Sequence, residues 1–139
     1  ENNVDINRIA KYTLGKHRKT ISDEEINKYF KLYKKYFLKN FSSRLIDYTN
    51  PEIIIVDENV INENFTIVNT ILEATSKNPE LKISWRVITK NPNKPLILDL
   101  LIEGLSLAKA QKEEFNSIIK NSDGDINALF KIMEEYIIK

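Results

Sequence analysis

The spacing of apolar positions divides the chain into three stretches with different periods. From Ile26 onward, Tyr29, Phe30, Tyr33, Phe37, Phe41 and Leu45 recur every three or four residues, which places them on one face of an α-helix. Ser22 with Glu25 three residues on forms a capping box, in which each side chain satisfies a backbone donor that the helix start leaves without a partner. One long amphipathic helix is therefore predicted from Ser22, or two in sequence if Ser42 and Ser43 loosen it. Asn50 and Pro51 end it, because the residue before a proline avoids helical backbone angles. A shorter helix precedes it, with Asp5 as candidate N-cap, Ile9 and Tyr12 or Thr13 at helical spacing, and Gly15 placed to stop it near Leu14.

After Pro51 the period becomes extended. EIIIV, FTIVNTILEA, LKISWRVIT and PLILDLLIEG are β-branched or aromatic runs separated by Asp, Asn, Pro and Lys clusters, the signature of a meandering antiparallel sheet. In the third run Leu81, Ile83, Trp85 and Val87 alternate with Lys82, Ser84 and Arg86, so one face is apolar and the other wet. The fourth run is apolar on both sides of Asp99 and predicts cover on both faces. Helical spacing returns with Leu107, Gln111, Phe115, Ile118 and Ile119; SDGD interrupts it, and Asp125 is placed to cap a last helix carrying Ile126, Leu129, Ile132, Met133 and Tyr136. Helices, a sheet, then helices make an α+β fold rather than an alternating βαβ one. The expected organisation is a single domain over residues 1–139, with N-terminal helices in 5–49, a twisted antiparallel sheet of about four strands in 52–104 and C-terminal helices in 106–138.

Composition narrows the function classes. At 139 residues, 42% hydrophobic, the chain can bury a genuine core. No apolar run approaches the roughly 18 to 20 residues that a spanning helix needs. A net charge of +1 argues against general affinity for nucleic acid, which requires a surplus of Lys and Arg on one face. The absence of cysteine removes disulfides, thiolate nucleophiles and Cys-ligated zinc. It leaves the compartment open. The first residue is Glu1 rather than Met, so the chain is expected to have been processed or trimmed, which is compatible with a removed export signal.

Few residues invite catalysis. His17 is the only histidine and sits among Lys16, Arg18 and Lys19, where neighbouring cations disfavour imidazolium and no acid is spaced to orient the ring; it reads as a surface residue. Asp99 and Glu103, four apart in a strand, lie roughly 13 Å from each other, beyond the about 5 to 9.5 Å of a glycosidase carboxyl pair. Structural hydrogen bonding fits them better. Gly15, Gly104 and Gly124 are isolated, so no phosphate-binding loop exists. Lys28, Lys31, Lys34, Lys35 and Lys39 fall opposite the aromatic stripe of the long helix and read as its solvated back, with weak attraction to anionic lipid as the other possibility. The remaining apolar surplus fits either an ordinary core or a cavity between sheet and helices for a hydrophobic ligand.

Here the residues resemble a known family. The segment Ala10 to Gly15, the helix start Ile21 to Glu25, Phe30, Tyr33, Leu45 and Tyr48, then Asp99, Glu103-Gly104-Leu105-Ser106-Leu107, Phe115 and the Ile118-Ile119 pair are similar, in order and over nearly the whole chain, to the MlaC family of periplasmic phospholipid-binding proteins, also called the toluene-tolerance or ABC-transporter auxiliary family. The chain departs from that pattern in NKPLILD, which lacks the family's tryptophan before the aspartate, and in Gln111, Lys112 and Glu114, where the family often has Tyr-Arg and a Gln before the Phe. A helix preceding residue 1 is also expected from the resemblance.

The resemblance implies a soluble periplasmic carrier that shuttles phospholipid between an outer-membrane lipoprotein complex and an inner-membrane ABC transporter with its MCE-type component, and so maintains outer-membrane lipid asymmetry. It implies a monomer that binds no nucleic acid, performs no catalysis and uses no metal or cofactor, with phospholipid as cargo. The lining of an apolar pocket would come from Phe37, Phe41, Leu45, Ile67, Ile71, Ile83, Trp85, Leu98, Leu100, Ile102, Leu105 and Phe115, with Glu103-Gly104 turning the last strand and Ser106 as N-cap of the next helix. Two rivals stand beside it: a small enzyme of the ketosteroid-isomerase type using Asp99 or Glu103 as base in an apolar cavity, and an interaction domain with a solid core.

Overall fold

The changes of period coincide with the element boundaries. The computed structural model describes residues 4–45 and 53–139, with all their side chains except those of residues 44 and 45. Its elements are α1 (Ile6–Leu14), a 3-10 turn (Gly15–Lys19), α2 (Asp23–Leu45), β1 (Ile53–Val60), β2 (Phe65–Leu72), β3 (Leu81–Ile88), β4 (Leu96–Ile102), β5 (Leu105–Ser106), α3 (Leu107–Asn121) and α4 (Ile126–Ile138). The predicted stop at Asn50-Pro51 lies outside the described residues. Among those residues no helix is long and apolar enough to cross a membrane. The chain forms two compact units, a sheet unit of residues 1–5 and 45–107 and a helical unit of Ile6–Arg44 with Ala108–Lys139.

The sheet unit is a single antiparallel meander in the order β1-β2-β3-β4-β5. The expected α+β class and antiparallel sheet are present, with a short fifth strand made by the EGLS sequence. Glu103 and Gly104 have φ of 51° and 82°, and the pairs Leu101–Ser106 and Ile102–Leu105 flank them. Two consecutive residues of positive φ between paired strands match the twist of a two-residue hairpin. Glu103 therefore does not lead straight into a helix; the chain first doubles back as β5, and α3 begins after Ser106. Elsewhere the pairing slips once between Ile55 and Asp57 on β1 and once between Arg86 and Val87 opposite β4, which leaves Val56 and Leu98 as bulge residues. β1 is one edge of the sheet and is exposed along its whole length. The amide of Asp5 donates to the Ile97 carbonyl at 3.1 Å, beside a parallel bridge from Val4.

In the helical unit the capping box forms as the sequence requires: the Ser22 amide donates to Glu25 Oε1 at 3.0 Å and the Glu25 amide to Ser22 Oγ at 3.1 Å. Asp125 caps α4 by accepting from the Asn127 amide. Tyr29, Tyr33, Tyr36 and Phe37 of α2 are buried. Three of them meet Phe115 of α3 edge to face, with ring centres 6.4, 6.4 and 5.5 Å away for Tyr29, Tyr33 and Tyr36, the favoured geometry for aromatic quadrupoles. Ile9, Ala10, Leu14, Leu129, Phe130 and Met133 complete the core. On α1 the buried partner of Ile9 is Thr13, while Tyr12 faces solvent.

Burial obliges the tyrosine hydroxyls to find partners. Thr13 Oγ1 donates to the Ala10 carbonyl at 2.7 Å and stands 2.5 Å from the Tyr29 hydroxyl, and the Tyr33 hydroxyl donates to Gln111 Oε1 at 2.6 Å. One lysine expected on the solvated back of α2 is elsewhere. Lys39 Nζ donates to the carbonyls of Tyr136 at 2.7 Å and Ile137 at 3.2 Å, placing a cation on carbonyls that the end of α4 leaves unpaired. Lys28 lies 3.6 Å from Glu134 and 5.0 Å from the centre of the Phe130 ring.

Two predictions follow from these local constraints. An alanine at position 104 would meet no heavy atom within 4 Å, so Gly104→Ala isolates the backbone cost of positive φ; chemical denaturation should show a loss of about 1–2 kcal/mol. Burial pushes the Tyr29 phenol above its ordinary value, the hydrogen bond to Thr13 offsetting part of the rise. The folded protein thus holds that proton more tightly than the unfolded chain, and the associated stability is fully present below about pH 10 and lost as pH rises beyond it. In denaturation measured from pH 8 to 11, Tyr29→Phe should show a shallower alkaline decline than the parent.

Candidate functional site

Strict side-chain alternation, combined with the observed register, sorts the sheet into two chemically distinct faces. Thr70 faces Ile83, which faces Ile102; Val68 faces Trp85, which faces Leu100. One face therefore carries Thr66, Val68, Thr70 and Leu72 of β2, Leu81, Ile83, Trp85 and Val87 of β3, and Ile97, Leu100 and Ile102 of β4. Of its apolar members, Leu72, Ile83 and Leu100 are fully buried. Val68, Leu81, Trp85, Val87 and Ile102 remain only half-buried. The cover expected over the fourth run is thus partial, with Leu100 its one fully buried residue.

Trp85 is held in place by its polar edge. Its Nε1 donates to Thr70 Oγ1 at 2.9 Å, and that hydroxyl donates to the Ile83 carbonyl at 2.7 Å. A buried threonine on an apolar face is explained by this relay, since it satisfies the indole N–H and leaves the ring available for apolar contact.

The opposite face is mixed. It carries Ile67 and Ile71 together with Asn69, Ser84, Arg86 and Asp99. Ser84 donates to Asn69 Oδ1 at 2.7 Å and Asn69 Nδ2 to Asp57 at 2.6 Å. Asp99 stands opposite Arg86; its carboxylate accepts from the Leu100 amide at 2.8 Å and from the Ser106 hydroxyl. Glu103 accepts from the Lys82 amide at 2.8 Å, and its own amide returns a bond to the Lys82 carbonyl at 2.9 Å. Both carboxylates thus serve the sheet end, the structural role expected from their spacing. A general base in an apolar cavity would require a carboxylate among the side chains around Trp85, and Asp99 projects from the other face. The lone His17 is also engaged, with Nε2 2.7 Å from Asn116 Oδ1.

The twelve proposed lining residues are distributed as follows. Ile83, Trp85, Leu100 and Ile102 share one sheet face. Ile67 and Ile71 do not join them, because their odd positions in β2 turn them to the polar side. Leu98 is the extra residue of the β4 bulge. Leu105 is 74% exposed; the hairpin places it on the short edge strand β5, paired with Ile102. Phe37, Phe41 and Phe115 belong to the helical unit, where Phe37 and Phe41 stack with planes 5° apart and Phe115 is a core residue. The Leu45 side chain lies outside the described residues.

Sequence reasoning put Leu81 and Val87 on the Trp85 face without naming them as lining, and missed Val68 and Leu72 as members of it. For β3 the alternation was visible. For β2, FTIVNTIL is apolar at both odd and even positions, and only its pairing with β3 chooses between them. Gln111 was also passed over as one member of a helical stripe; it is buried, and its Nε2 has no hydrogen-bond partner among the described residues. Thr70→Val removes the acceptor for the indole and should lower stability by about 1–3 kcal/mol. Because the chain has one tryptophan, its emission should change in the same variant, whereas Ser84→Ala on the other face should leave it unaltered.

Comparison with known proteins adds two findings. The sequence profile of the family described as "MlaC protein" matches residues 1–135. Among solved structures, that of a phospholipid-binding protein from Ralstonia solanacearum, in complex with a phospholipid, is similar with a TM-score of 0.79 and 18% identity, over 98% of this chain and 74% of that one. At that identity the likeness is one of fold. No curated protein matches the chain.

Proposed function

This chain belongs to the MlaC family, and from that membership we propose that it binds phospholipid and carries it through an aqueous compartment between two membranes. The family match over residues 1–135 carries the reading. The phospholipid complex of the similarly folded Ralstonia protein supports it, as does the half-buried apolar face around Trp85 in this chain.

The physical problem such a carrier solves is exposure of acyl chains. At about 0.8 kcal/mol per methylene, two chains of roughly fifteen carbons cost on the order of 20 kcal/mol in water, too much for free exchange at useful rates. A protein lowers that cost by offering equivalent apolar contact, and the half-buried Val68, Leu81, Trp85, Val87 and Ile102 are the residues of the sheet best suited to give it. The role is binding and release, with no covalent step and no cofactor; the phospholipid is cargo. In the finer form of the proposal the chain works in the periplasm as a monomer, exchanging lipid with an outer-membrane lipoprotein complex and an inner-membrane ABC transporter bearing an MCE-type component, and thereby maintains outer-membrane lipid asymmetry.

Extraction of the purified protein with organic solvent should release phospholipid detectable by mass spectrometry, and delipidated protein should take up labelled lipid. Absence of both overturns the proposal. Uptake should shift the emission of Trp85 to the blue. Val68→Asp, which sets a charge opposite Trp85 on the half-buried face, should reduce uptake at least tenfold, with circular dichroism checking that the variant is folded.

A further inference from the structure

The near-neutral total hides an uneven division of charge. Counting Lys and Arg against Asp and Glu, the helical unit holds sixteen against nine, or +7, and the sheet unit five against eleven, or −6, which together make the +1 of the whole chain. The imbalance is sharpest near the start: from Ile6 to Ser22 there are five Lys or Arg residues and no Asp or Glu.

The fold gathers these cations on one surface of the helical unit. With Ile6, Ile9, Ala10, Thr13 and Leu14 buried, α1 turns Lys11 and Tyr12 outward. The 3-10 turn buries nothing and exposes Lys16, Arg18 and Lys19. Its His17 contact with Asn116 fixes the turn against α3. One helical turn before Asn116, Lys112 lies with Nζ 4.8 Å from the centre of the Tyr12 ring, and its side chain also borders Gly15. One turn after Asn116 comes Lys120, exposed. On α3 the acids Glu113 and Glu114 stand about 60° and 160° round the helix from Asn116. The lysines of α2 differ: Lys28 and Lys39 are engaged with α4.

We propose that the patch formed by Lys11, Lys16, Arg18, Lys19, Lys112 and Lys120 docks the protein on an anionic phospholipid bilayer. Crowded like charges repel one another, and a face that serves only solubility intersperses both signs. From Lys11 to Lys19 the cations stand on long flexible tails with no acid among them in the chain, while Glu113 and Asp123 lie beside the two lysines of α3; the acid-free stretch suits a diffuse array of phosphates better than the fixed partners of a protein interface. Tyr12, 45% exposed in their midst, supplies an amphipathic ring of the kind that settles at headgroup depth. The inference does not rest on lipid carriage, since it concerns headgroup charge at a membrane surface and holds equally for a chain with no bound lipid.

Vesicle sedimentation tests it. The protein should bind vesicles of phosphatidylcholine with phosphatidylglycerol, release them as salt rises, and ignore vesicles of phosphatidylcholine alone. Each cation removed should weaken binding about fivefold, so Lys16→Gln/Arg18→Gln/Lys19→Gln, all exposed positions, should lose more than tenfold, and the charge reversal to Glu still more. Lys31→Glu/Lys34→Glu/Lys35→Glu, a reversal of the same size on the exposed side of α2, should retain most of the binding. Failure to bind the anionic vesicles overturns the proposal, as does equal loss in the two Glu variants, which would assign the effect to net charge. Capture of an acidic protein without vesicle binding also overturns it.

Discussion

The candidate site depends on the register of β3 between its neighbours. With Ile83 opposite both Thr70 and Ile102, the odd positions of β3 join the even positions of β2 and, across the β4 bulge, Ile97, Leu100 and Ile102 on a single apolar face. A slip of one residue would exchange the faces of a strand completely, setting Lys82, Ser84 and Arg86 among the leucines and isoleucines and turning Trp85 toward Asp99. The register is reinforced from within that face, where the indole N–H reaches Thr70 and the Thr70 hydroxyl reaches the Ile83 carbonyl. On the reverse face, Ser84, Asn69 and Asp57 form a second polar relay in the same alignment. Two independent hydrogen-bond chains therefore point to one alignment.

The helical unit solves a related problem. Its core is built from tyrosines as much as from aliphatic residues, and every buried hydroxyl must be matched or carry a desolvation cost. Thr13 and Gln111 supply the matches for Tyr29 and Tyr33, and Phe115 receives three ring edges between them. The same economy of partners explains Lys39. Its ammonium reaches the Tyr136 and Ile137 carbonyls at the end of α4, which have no helical partner.

Much of the architecture was legible because its determinants are local. The capping box at Ser22 and Glu25, the Asp125 cap, the break at SDGD and the alternation of LKISWRVIT each involve residues within a few positions of one another, and each appears where its chemistry requires. The EGLSL stretch was legible only in part. A turn at Glu103-Gly104 and a structural use for Asp99 follow from the residues. The added strand does not, because it depends on β4 being available as a partner for two more residues. Site membership was least legible: Ile67 and Ile71 are as hydrophobic as Ile83, and their assignment to the polar face is a matter of pairing.

The chain's own order of residues thus set the number and type of its helices, the antiparallel meander, the aromatic stripe and the family to which it belongs, since short-range periodicity, capping chemistry and motif order are encoded in neighbouring positions. Contacts between distant positions settled the rest. They decided which isoleucines share a face with Trp85, which polar residues satisfy buried tyrosines, and how Lys112 comes to lie over the ring of Tyr12. Those outcomes turn on strand register and on which helix meets which, and both are set by the free energy of packing and hydrogen bonding across the whole fold.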